Sequence, residues 1–81
     1  MTSARIENTL RSELRRIAPD IDIDTIDRDG DLREEFDIDS MDFLNLVTAL
    51  GKQFGATMPE ADYPRMATFN TLIAYLEEVT A

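Results

Sequence analysis

The chain has 81 residues with 43% hydrophobic side chains, enough for one domain, residues 1–81, with a thin core and little room for a deep active-site cavity. It has no cysteine and no histidine, which excludes disulfide staples, thiolate metal sites and any Ser-His-Asp arrangement. The formal net charge of −9 divides into +2 over residues 1–19, −9 over residues 20–42 and −2 over residues 43–81; so acidic a surface repels nucleic acid and favours basic protein surfaces as partners.

From the N-terminus, Ile6, Leu10, Leu14 and Ile17 recur at helical spacing. Thr2 or Ser3 can cap this first helix, and Pro19 disfavours helix at Ala18, so it ends near there. Glu7 with Arg11 and Arg15, and Glu13 with Arg16, fit a solvated outer face. Residues 18–39 form a long link. Ile21 and Ile23 alternate with aspartates, as do Phe36 and Ile38, which leaves a small strand pair open. Two such runs without further partners are marginal as a sheet. The preferred expectation is therefore a loop pinned onto the core by Ile21, Ile26, Leu32, Phe36 and Ile38.

A second helix starts around Asp39–Ser40 and aligns Phe43, Val47, Leu50 and Phe54, with Leu46 beside them, and Gly55 is its natural stop. Between Pro59 and Ala67 a short helix fits, brief, shifted or bent because Pro64 is tolerated only in a first turn. The last helix, capped by Thr68, carries Phe69, Leu72, Ile73, Leu76 and Val79 on one face. The expected fold is all-α, a small bundle of three main helices and one short one, with a long loop between the first two main helices. Nothing approaches the length of a membrane span or a signal segment, so the expectation is a soluble, cytoplasmic protein acting as a monomer.

Asp27-Arg28-Asp29-Gly30-Asp31 has the look of a calcium loop, but with Gly30 sixth the twelfth position is Phe36, where a bidentate Glu is required. No metal site is expected. Acids are abundant, yet no spacing singles out a catalytic pair, and no catalytic residue is assigned.

The segment Phe36-Asp37-Ile38-Asp39-Ser40-Met41-Asp42 carries more. A serine at a helix start is ordinarily a cap. Asp39 can cap instead, with Asp42 in support, leaving the Ser40 hydroxyl pointing outward where free N–H groups and the positive end of the helix dipole favour a phosphate. Asp39-Ser40-Met41-Asp42, followed by Leu46-Val47, Ala49-Leu50, Phe54, Pro59, Thr68 and Tyr75, resembles the acyl carrier proteins, whose signature is Asp-Ser-Leu at this point. The likeness covers essentially the whole chain.

That resemblance implies a four-helix fold with 4′-phosphopantetheine esterified to Ser40 by a separate phosphopantetheinyl transferase. It further implies a carrier, not an enzyme, that presents thioester-bound acyl groups to acyl-loading and acyl-processing partners. Asp37, Asp39, Met41, Asp42 and Leu44 then fall where partners are recognised, with Met41, Leu44 and Thr48 forming a mildly apolar stripe away from the core. Fatty-acid members of the family bear several Glu on this helix; here Asn45, Gly51, Lys52 and Gln53 stand instead, and Asp42 is its one acid. A specialised carrier of a lipid, polyketide or secondary-metabolite pathway fits better. An aminoacyl or peptidyl carrier is the first alternative, disfavoured because Asp37-Ile38-Asp39 stands where those members have a Gly-Gly pair. An unmodified acidic helical interaction module, with Ser40 only a cap, is the second.

Overall fold

The computed structural model describes residues 2–81. Three long helices, α1 (Ser3–Ile17), α3 (Ser40–Phe54) and α4 (Phe69–Val79), enclose the core, with the single-turn α2 (Leu32–Glu35) in the first connection. Two 3₁₀ segments, Ile23–Thr25 and Glu60–Met66, complete the chain. This is the expected all-α bundle. The short helix expected between Pro59 and Ala67 is the second 3₁₀ segment, with Pro64 inside it.

Each long helix starts where its cap residue stands. The Thr2 hydroxyl accepts from the Arg5 N–H, and Thr68 and Thr71 form a reciprocal capping box at α4. The periodic apolar positions are then buried together: Ile6, Leu10 and Leu14 of α1, Leu46, Val47 and Leu50 of α3, and Phe69, Leu72, Ile73, Tyr75 and Leu76 of α4. Burying a side chain of this size contributes roughly 1.5–3 kcal/mol, so this cluster supplies most of the driving force. Three sequence expectations shift. Val79, in the last turn of α4, is exposed, with no further helical turn to carry it onto the core. Phe43 and Phe54 are half-buried at the core margin, while Leu46, expected beside the stripe, is fully buried. Glu13 is buried beneath Arg16, 3.0 Å away, and does not lie on a solvated face.

Among the described residues the link 18–39 forms no strand; it is folded onto the bundle as a turn-rich strap. Leu32, Phe36 and Ile38 are buried as expected, Ile21 and Ile26 pack half-buried against the core, and Ile23 joins the buried set. A single bridge pairs Asp31 with Thr68, the Leu32 N–H reaches the Ala67 carbonyl at 2.8 Å, and the Asn70 N–H reaches that of Arg28 at 3.1 Å. Side chains add to this seam. The Arg28 guanidinium donates to Glu7 at 2.7 Å and to Asn70 at 3.1 Å and lies over the Phe69 ring. Arg11 donates to Asp24 at 2.6 Å, a bond that holds the Asp24 carboxyl below the usual carboxylate range. Arg11 keeps the expected pair with Glu7 at 3.8 Å and adds Asp24, while Arg28 from the strap joins the same Glu7.

Candidate functional site

The strap ends by delivering the chain to the start of α3, and one local device controls that delivery. Beyond α2, Asp37 takes a left-handed conformation with φ 52°. Its N–H bonds the Glu34 carbonyl at 3.3 Å, and the Ile38 N–H bonds the Arg33 carbonyl at 3.0 Å. These are the two bonds of a Schellman termination, in which the left-handed position is usually glycine. The turn drops Ile38 into the core and leaves Asp37 exposed. Two residues later Asp39, extended, accepts the Asp42 N–H at 2.9 Å, and α3 begins at Ser40.

Capping therefore falls to Asp39, and the Ser40 side chain is released from that duty. Its hydroxyl is exposed on the first residue of a fifteen-residue helix, at the positive end of the dipole. The Oγ accepts one hydrogen bond, from Arg33 Nη2 at 2.9 Å. Beside it opens a groove of about 490 Å³ between α3 and the Glu60–Met66 segment. Phe43, Leu44, Tyr63 and Pro64 supply its apolar wall, and Asp31, Arg33 and Ser40 its polar rim. Phe43 and Tyr63 meet edge to face with centroids 5.7 Å apart, which braces that wall.

The residues singled out from the sequence are brought together around this point, with different tasks. Asp39 is a cap, Asp37 a turn, and Asp42 is half-buried on the first turn of α3. Met41 and Leu44 project from the same turn, 64% and 43% exposed, so an apolar patch stands next to the hydroxyl. Arg33 and Tyr63 were not singled out. Arg33 lies seven positions before Ser40, and its only trace in the sequence is that it is one of two cations in residues 20–42. Tyr63 comes from a segment whose fold onto α3 no periodicity announces. Among the described residues no group of three or more acids is placed to hold a metal ion, and no helix is long and apolar enough to cross a membrane. An accessible hydroxyl on a helix start, with a cation and an open groove beside it, fits a covalently attached phosphodiester with a long organic arm.

Comparison with known proteins agrees. Residues 4–76 match the family described as the phosphopantetheine attachment site. The acyl carrier protein of Lactobacillus johnsonii is 35% identical over 57 residues, covering 70% of this chain and 71% of that protein. Acyl carrier protein 2 of Pseudomonas aeruginosa is 38% identical over 50 residues, 62% of this chain and 63% of that protein. Acyl carrier protein AcpXL of Mesorhizobium japonicum is 45% identical over 40 residues, 49% of this chain and 43% of that protein.

Proposed function

Because the chain belongs to the acyl carrier protein family, the proteins that bear a covalent 4′-phosphopantetheine, we propose that Ser40 is the residue that carries this group. The observation that carries the assignment is the handover of capping to Asp39, which leaves the Ser40 hydroxyl exposed at the rim of the groove. When bound, the group supplies a thiol that holds an acyl chain as a thioester, chemistry that a cysteine-free protein lacks by itself.

The chain's own residues attach, orient and present. Leu46, Val47 and Leu50 anchor α3 in the core, so the Ser40 Oγ sits on a rigid element whose first turn is held by Asp39. The Oγ faces a donor, Arg33, and among the described residues no side chain accepts its proton. Removing that proton is therefore the work of a partner phosphopantetheinyl transferase. The chain acts as a carrier and not as an enzyme.

Met41 and Leu44, with Asp37, Asp39 and Asp42 around them, form the face that the transferase and the acyl-loading and acyl-processing enzymes meet. An apolar centre with a charged rim suits a transient protein contact, the acids steering basic partners. Beyond Asp42, α3 bears no acid, and the carboxylates cluster in the strap before it. That distribution supports a carrier of a specialised lipid, polyketide or secondary-metabolite pathway over one of central fatty-acid synthesis. Residues 1–81 serve as one carrier domain, monomeric and cytoplasmic.

Incubation with coenzyme A and a broad-range transferase, followed by intact mass spectrometry, tests the assignment. Wild type is expected to gain the mass of one arm and S40A none. A wild-type chain that stays unmodified, while a known carrier in the same tube is loaded, would remove Ser40 from this role.

A further inference from the structure

We infer that Arg33 is a positioning residue for the arm, its guanidinium being the cation that meets the phosphodiester on Ser40; this rests on Ser40 being the attachment residue.

Arg33 is held in place from both sides. Its N–H donates to Asp31 Oδ1 at 2.8 Å, and its carbonyl accepts the Ile38 N–H at 3.0 Å. Leu32 and Phe36, on either side of it, are buried to 1% exposure. The root of the side chain is thus as fixed as the core, while its exposed guanidinium crosses to α3 and donates to the Ser40 Oγ at 2.9 Å.

The charges around it make this contact unusual. Residues 20–42 hold eleven acids and two arginines. Arg28 is fully engaged in the strap, with Glu7, Asn70 and the Phe69 ring. Arg33, with Asp31 and Glu34 as sequence neighbours, forms no ion pair among the described residues and turns toward a neutral hydroxyl. A neutral hydroxyl accepts one charge-assisted bond but supplies no countercharge and leaves the rest of the guanidinium fork without an anionic partner, so it is a poor match for the one uncommitted cation of the segment.

An ester on Ser40 resolves the mismatch. The oxygen that Arg33 already touches is then one bond from phosphorus, whose non-bridging oxygens share a full negative charge. A planar guanidinium presents five donors in a fork that suits such oxygens, and its engagement offsets the repulsion from the surrounding carboxylates. Arg33 and Ser40 share the rim of the groove, so the contact holds the root of the arm on the groove side.

Wild type, R33K and R33Q, each loaded from coenzyme A and checked by intact mass, test the inference. In the wild-type NMR spectrum the Arg33 Nε–Hε resonance is expected to shift on loading and to exchange more slowly with water. The ³¹P resonance of the ester is expected to move in R33Q relative to wild type, with R33K between them. Loading should raise the thermal midpoint of wild type by about 3 °C more than that of R33Q. Comparing each variant with its own unloaded form cancels any purely structural effect of Arg33. Loading at Ser40 with an unmoved Arg33 resonance and the same midpoint change in all three proteins overturns this inference alone. Failure to load at Ser40 overturns it together with the assignment of Ser40.

Discussion

The aspartates of the strap do local work that their alternation with isoleucine conceals. Asp22, Asp27, Asp31 and Asp39 each accept a backbone N–H two or three residues on, at 3.0, 2.9, 2.8 and 2.9 Å. Short acidic side chains compete for the backbone in this way and so build turns where a period of two suggests strands. Asp37 differs from these four, because its role is conformational. A left-handed backbone costs a non-glycine residue roughly 1–2 kcal/mol, of which glycine's greater unfolded-state entropy returns part. D37G is therefore expected to stabilise the protein by about 0.5 kcal/mol. D37N, which keeps the Cβ and removes the charge, serves as the control. Urea unfolding of the three proteins checks this; a D37G protein no more stable than D37N would show that charge, and not backbone strain, is what Asp37 contributes.

Among the elements, α2 and α3 each end at a residue in the left-handed conformation, aspartate in one case and glycine in the other. Gly55 closes α3 at φ 62°, with the Ala56 N–H bonded to the Gly51 carbonyl at 3.0 Å, and Asp37 closes α2. The Glu60–Met66 segment, the outer wall of the groove, depends on α4. Tyr75, buried to 2% exposure, donates its hydroxyl to Asp62 at 2.7 Å, and Arg65 stacks over the Tyr75 ring while pairing with Glu78. The bond to Asp62 and burial both push the Tyr75 hydroxyl above its ordinary pKa. A raised folded value means that the bond stabilises fully below the unfolded pKa of about 10 and is lost as pH climbs through the folded one. Y75F is expected to cost about 1 kcal/mol at neutral pH. Wild type should forfeit that advantage progressively above pH 10, measured by denaturant unfolding across that range. An unchanging gap between the two proteins would mean the hydroxyl bond is not what the substitution removes.

For the molecule as a whole, charge opposes compaction. Eleven acids in residues 20–42 give that stretch −9, the whole net charge of the chain, while the remaining residues sum to zero. The N–H bonds of the strap and the Arg11 and Arg28 pairs offset part of the mutual repulsion, and the rest is left to solvent and salt. Added NaCl or Mg²⁺ is therefore expected to raise the thermal midpoint by a few degrees, by screening at about 10 Å in 0.1 M salt. Calorimetry in a salt series decides it: a midpoint that stays flat or falls would place the stabilising ion pairs ahead of the repulsion.

The three long helices, their caps and their buried faces were legible in the sequence because helical periodicity and capping are local. Ile6, Leu10 and Leu14 need only recur at the right spacing, and Thr68 needs only to precede Phe69. Ser40 was legible as a candidate for the same reason: Asp39 can take the cap from the next residue along. The strap was only half legible. Its apolar pins could be named, but its turns depend on aspartate side chains that mimic no period, and its seam to α4 joins Arg28 with Asn70 across 42 positions. What tertiary structure alone decided is the surroundings of the Ser40 hydroxyl. The groove exists because the Glu60–Met66 segment folds back onto α3, and Arg33 reaches Ser40 because the turn at Asp37 reverses the chain between them. Both are distances through space between residues whose sequence neighbours carry no sign of the meeting.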